Sequence, residues 1–181
     1  MAMIGALYHH LQRFRREQRG TALVEMALIA PLMLILSAGV FEFGNLIHQK
    51  LLMEAGLSDG ARFAARCNTQ LYANAGLVID CDDIATNIAV FGNAAGTGSA
   101  RISGWQKADV TVTVADPVSN PLDCRNAVDS AGVTQYRSTT PQVCIVRAAG
   151  TLAYIDIGML SIIGIGPITL NGSHEERLIR F

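Results

Sequence analysis

Gly20, Thr21 and Glu25 are the residues whose types and spacing could do chemistry, and that chemistry is cleavage followed by charge pairing. Glycine leaves the backbone free to extend, as a peptidase requires at the bond it cuts. A cut after Gly20 makes Thr21 a new N-terminus, its ammonium one helical turn from the Glu25 carboxylate. Glu25 has reason to need a partner, because it stands four residues into an apolar run. A carboxylate in a membrane span costs about 2.5–3.5 kcal/mol at the centre and less near the interface. In a helical assembly, the Thr21 ammonium of one subunit could pair with Glu25 of the next, leaving neither charge alone in apolar surroundings. A glutamate that merely reaches back to the interface, with Gly20 as a flexible joint, fits the same residues.

These groups must be positioned by the elements around them. Arg13, Arg15, Arg16 and Arg19 face only Glu17 among the first twenty residues, so the leader is net positive and the rest of the chain net negative. Ala22 to Phe41 then run with one charge, Glu25. Twenty helical residues reach roughly 30 Å, the thickness of a bilayer's hydrocarbon core. Arginines immediately before a single apolar span hold the N-terminus in the cytoplasm and send the remainder across. A cleaved secretory signal, with its apolar core at Met26–Leu36 and a cut near Ser37-Ala-Gly39, would need a polar region that the sequence lacks. Apolar residues instead continue through Phe41, Phe43, Leu46 and Ile47.

Phe43, Leu46, Ile47, Leu51, Ala55, Leu57, Ala61 and Ala64 follow near-helical spacing and are read as one apolar face. The helix therefore is expected to run from Thr21 to Arg66, with residues 21–42 transmembrane and 43–66 amphipathic. Pro31 removes one backbone bond inside the span. Gly56 and Gly60 are read as sites of close helix-to-sheet packing.

Composition agrees with a chain divided in this way. Of 181 residues, 50% are hydrophobic and 16% charged, with a mean hydropathy of +0.31 and a net charge of -1. An ordinary globular domain is about a quarter charged. Disorder is excluded by the apolar content. A pI near 6.4 supplies no basic excess for nucleic acid.

Residues 67–181 are long enough for one modest head domain on the far side of the membrane. A short helix is expected at Asp82–Val90 and a loop at Gly92–Ser99. Strands are expected at Asp109–Ala115, at Val143–Ala149 and Leu152–Ile157 (one bent strand or two), and at Ile165–Leu170. Residues 116–141 read as an excursion, and Gly158–Gly166 as a buried helical turn too short to span a bilayer. The fold class is α+β, a long helix packed on a small antiparallel sheet. Cys67, Cys81, Cys124 and Cys144 all follow the span, where oxidation is available. Pairing Cys67 with Cys81 and Cys124 with Cys144 closes the two shortest loops, although four cysteines allow three pairings. No cofactor or metal is expected. The chain has no Cys-x-x-Cys and no Gly-Lys-Ser/Thr, and His9, His10, His48 and His174 are scattered, with His174 in a C-terminal tail. Spacing assembles no Ser/His/Asp arrangement, so no enzyme is expected.

Three strings in order carry a family resemblance: Arg19-Gly-Thr-Ala-Leu-Val-Glu-Met-Ala-Leu-Ile-Ala-Pro-Leu, Phe41-Glu-Phe-Gly, and Gly60-Ala-Arg-Phe-Ala-Ala65. Together they resemble the TadE/TadF-like pseudopilins (minor pilins) of the tight-adherence, Flp-type IVb pilus system. A weaker likeness returns at Ile168–Arg177, similar to that family's final strand and charged end. The resemblance implies a type IV pilin-like fold and a prepilin peptidase cutting after Gly20. It implies a single-pass inner-membrane protein with a periplasmic head, which can join the pilus after processing. The implied partners are the prepilin peptidase, other Tad/Flp pilins and pseudopilins, the inner-membrane assembly platform and membrane lipid, with no nucleic acid. Residues 1–20 would then be a basic leader that is removed. Met26 stands where family members often carry Phe or Tyr. The residue-level alternative is a membrane-anchored periplasmic binding or adaptor module that never enters a filament.

Overall fold

The computed structural model describes residues 19–114, 124–135, 142–162 and 164–179. Arg13, Arg15 and Arg16 lie outside them, as do 116–123 and 136–141 of the expected excursion. The chain divides into two compact units, 1–44 and 45–181.

Helix α1 runs over Arg19–Arg66, 48 residues that continue through Pro31. In residues 19–44 its large apolar side chains stand in the open: Leu23, Leu34 and Phe41 are 72%, 70% and 73% exposed. The second half of α1 has a buried face, but it is displaced from the one the spacing suggested. Met53, Leu57, Ala61, Ala64 and Ala65 are buried, whereas Phe43, Ile47, Leu51 and Ala55 are exposed. The reason is angular. Ala55 and Leu57 stand about 200° apart around a helix axis and cannot share one narrow stripe.

After α1 come α2 (Thr69–Asn74), which the sequence reading did not anticipate, and α3 (Cys81–Phe91). Asn68 caps α2 by accepting the amides of Gln70 and Leu71. Asp80 caps α3 by accepting the Asp83 amide at 3.0 Å, with Asp82 and Asp83 in the favourable first turn. Gly92 ends α3 at φ 75°, the left-handed geometry that glycine adopts without steric penalty. Gly56 and Gly60 pack α1 against this helix, not against the sheet as expected. A Cβ on Gly56 would lie 2.4 Å from the Ala89 carbonyl oxygen, and one on Gly60 2.7 Å from that of Ala85.

A 3₁₀ turn at Lys107–Asp109 leads into β1 (Val110–Val114), followed by β2 (Cys124–Asn126), β3 (Gln142–Ala153), the short helix α4 (Met159–Ile162) and β4 (Thr169–Arg177). The central strand is β3, which pairs antiparallel with β1, β2 and β4. It is one continuous strand through Gly150, and residues 154–157 lie outside it. Its alternate residues Cys144, Val146, Ala148, Gly150 and Leu152 are buried, as a sheet with one covered face requires. Leu57 from α1 approaches Gly150, and both Met53 and Leu57 approach Gly172, so two glycines let the helix sit close on the sheet. Trp105 fills the junction and is buried.

Two expectations are corrected at the C-terminal end. The last strand is not Ile165–Leu170 but Thr169–Arg177, because Pro167 has no amide to donate and Gly164 turns the chain at φ 77°. Of the described side chains in the turn expected to be buried at 158–166, Leu160 is buried while Met159 and Ile165 are exposed.

Cys67 is bonded to Cys81, and Cys124 to Cys144, which stands directly opposite it across the β2–β3 pair. Reduction of each bridge is expected to remove roughly 2–4 kcal/mol. Thermal unfolding with and without reductant tests this, and unchanged transitions would show that the bridges do not brace the head.

Candidate functional site

Gly20, Thr21 and Glu25 lie on α1, which is described from Arg19 onward. Glycine lowers helix preference by about 1 kcal/mol, so extending the backbone at Gly20 costs less than at most other residue types. Gly20 is exposed, and a Cβ built on it meets nothing within 4 Å. The fold itself places no demand for glycine there. Thr21 and Glu25 are both exposed and four residues apart, which puts them on one face of the helix. Thr21 is engaged in a polar interaction.

From Gly20, α1 is long and apolar enough to cross a membrane, and none of its most apolar stretch is buried. Water makes such a surface unfavourable at about 25 cal/mol per Å² of apolar area, while hydrocarbon does not. Glu42, the carboxylate of Phe41-Glu-Phe-Gly44, differs from Glu25 in being buried, and it has a polar partner.

In the head, the sequence reading missed a polar cluster on α1 and β4. His174 is not in a tail. It lies on β4, half-buried, with its Nε2 3.1 Å from Glu176 Oε1 and 3.4 Å from Ser58 Oγ. Arg62 Nε donates to the same Glu176 oxygen at 3.2 Å. Serine, histidine and glutamate are thus adjacent, but serine and carboxylate both meet the same ring nitrogen. A proton relay needs the carboxylate on one nitrogen and the hydroxyl on the other. The cluster instead ties β4 to α1. The His174 hydrogen bond holds the Glu176 carboxyl below its ordinary value of 4.5, against some opposition from partial burial and with help from Arg62. Because the folded value is the lower one, this stabilisation is complete above the ordinary carboxylate range and fades as pH falls through the depressed value. Glu176→Gln is expected to lower the unfolding temperature at neutral pH, with the deficit shrinking in acid. A deficit that stays constant over a pH series of melts would exclude the carboxylate charge as its source.

Other ion pairs bind the surface together. Arg101 meets Asp59 at 2.6 Å, and Arg147 meets Glu175, its cross-strand partner, at 2.7 Å. Lys107 pairs with Asp83, and this contact holds the Asp83 carboxyl below its ordinary value. A cleft of about 400 Å³ lies beside Tyr154, Asp156, Leu160, Ser161, Pro167 and Ile168. Its carboxylate, Asp156, accepts the Ser161 amide at 3.1 Å, so it serves the local turn. Among the described residues, no three His, Cys, Asp or Glu side chains are grouped to hold a metal ion.

No curated protein and no solved structure matches the chain. Residues 20–62 do match a family model, that of the TadE-like proteins. The match begins at Gly20 and covers most of α1, so over this stretch the likeness read from the three strings holds. It does not extend to Ile168–Arg177.

Proposed function

We propose that this chain, TadE-like over residues 20–62, is a membrane-anchored pseudopilin or minor pilin that serves assembly of a tight-adherence, Flp-type pilus. The observation that carries this reading is the junction at Gly20. The family match begins there, on a helix whose following apolar side chains are exposed. A prepilin peptidase cuts after Gly20, and the leader with Arg13, Arg15, Arg16 and Arg19 stays on the cytoplasmic side. The head domain, braced by its two disulfides, lies in the periplasm, anchored in the inner membrane by the single span. The role is structural and not catalytic. Its partners are the peptidase, other Tad/Flp pilins and pseudopilins, the assembly platform and membrane lipid.

The deciding measurement is the N-terminal sequence of the protein taken from membranes of its native host. A start at Thr21 supports the reading. An intact leader beside an active prepilin peptidase, or a start near Val40, overturns it. Glu25 acts after cleavage in this account, pairing with the Thr21 ammonium of a neighbouring subunit. Glu25→Ala is accordingly expected to mature normally and to reduce pilus assembly by an order of magnitude or so, since one uncompensated charge is worth a few kcal/mol in apolar surroundings. Piliation counted by electron microscopy tests it, and normal pilus numbers would remove the pairing argument.

A further inference from the structure

The connection between β3 and β4 is unusual for a head domain. Over 154–168 Asp156 is the one residue among Asp, Glu, Lys, Arg and His. Four of its apolar side chains are turned outward while Leu160 is buried: Ile155 and Ile157 are 65% and 61% exposed, and Met159 and Ile165 are exposed too. Exposed apolar residues are ordinary one at a time, but three isoleucines and a methionine on one short connection mark a contact surface.

The location of this connection identifies its partner. Along α1, Lys50 donates to the Asn171 carbonyl, Ser58 meets His174 and Arg62 meets Glu176, so β4 runs parallel to α1. The start of β4 and the connection before it therefore lie toward the Asn45 end of the head. Asn45 Nδ2 donates to the Tyr154 hydroxyl at 3.0 Å, which ties the beginning of the connection to that end directly. The same end of α1 exposes Ile47 and Leu51. Asn45 follows Phe41, the last residue of the apolar span, by four residues. That is about 6 Å of helix, and at most about 14 Å of any backbone. Covalent continuity alone keeps this end of the head at the membrane surface.

We infer that Ile155, Ile157, Met159 and Ile165 form a second membrane contact, seated among the headgroups and upper acyl chains. Apolar groups exposed at this depth leave water for the interface without crossing it. Asp156 is compatible with the contact because its carboxylate is drawn back to the Ser161 amide. The effect is to hold the head against the bilayer while the chain waits in the membrane. The inference rests on the anchored reading above.

The test places a photoreactive benzoylphenylalanine at single positions of the full-length chain in nanodiscs of phosphatidylethanolamine and phosphatidylglycerol. Positions 157 and 165 probe the connection and position 32 probes the span. Position 128 lies just beyond β2, at the opposite end of β3 from Tyr154. The expected result is lipid adducts at 157 and 165 approaching the yield at 32 and several times that at 128. Adducts at 32 with only the position-128 level at 157 and 165 would overturn the inference and leave the anchor intact. No lipid adduct at 32 would overturn the anchor, and the inference with it. Cross-linked dimers in place of lipid adducts at 157 would assign the surface to a second copy and overturn the inference equally.

Discussion

Gly20→Ala is expected to leave the protein folded, membrane-inserted and unprocessed, with the leader retained on essentially all copies. The two halves of this expectation have separate causes. On the folded side, a methyl at Gly20 meets nothing within 4 Å, and alanine in place of glycine favours a helix by about 1 kcal/mol. Stability should therefore hold or rise slightly. On the processing side, the same gain opposes extension of the backbone at residue 20, and the added Cβ enters the position a peptidase must grip closely. The proposed cut is thus lost for a reason that stability measurements will not register. Mass spectrometry of the protein extracted from host membranes reads the leader directly, and helical content by circular dichroism confirms the fold. Full maturation of Gly20→Ala would show that the cut, if made, lies elsewhere.

The second large effect is expected in the head. Gly56→Ala and Gly60→Ala are expected to destabilise it by about 1–3 kcal/mol each, the range for forcing extra carbon into a packed core. In an open helix the same change would stabilise by about 1 kcal/mol, so the sign is diagnostic. At Gly56 the new carbon falls 2.4 Å from the Ala89 carbonyl oxygen and 3.2 Å from the Trp105 ring, and at Gly60 it falls 2.7 Å from the Ala85 carbonyl oxygen and 3.2 Å from the Ala89 methyl. The 2.4 and 2.7 Å approaches are to backbone, which cannot turn aside as a long side chain would. Relief requires α1 and α3 to separate, and Trp105 at the same junction would lose contacts as they do. Gly44→Ala is the control, since nothing lies within 4 Å of its Cβ. Melts followed by the near-ultraviolet signal of Trp105 should fall by several degrees for the first two variants and not for the third. A rise for Gly56→Ala would overturn the helix-on-helix account.

Much of the architecture was legible because it depends on local chemistry. The long helix, the α3 segment flanked by Asp80 and Gly92, and the alternating strand from Val110 each announce themselves within a few neighbouring residues. What was not legible has a common cause. Asn171–Arg177 has no apolar alternation, so the residues alone end the last strand at Leu170 and leave His174 in a tail, with only a weak family likeness to a final strand; it is a strand because β3 offers its edge and because His174 and Glu176 find polar partners on α1. Gly56 and Gly60 declare a close approach but not what approaches. The buried face of α1 was misplaced for the same reason: apolar residues stand on several sides of the helix, and only the packed sheet and α3 select among them.

The sequence by itself determined the apolar helix long enough to span a membrane, the basic residues before it, the spacing of Gly20 and Glu25 and the existence of a head rich enough in apolar residues to fold, because spacing along a single helix and charge along a single chain require no partner. Tertiary structure alone decided which side of α1 is covered, where the last strand begins and ends, and that Ile155, Ile157, Met159 and Ile165 face outward. These depend on residues far apart in the chain, some by more than a hundred positions, such as Asn45 with Tyr154 and Arg62 with Glu176, and no local pattern records a contact made at that distance.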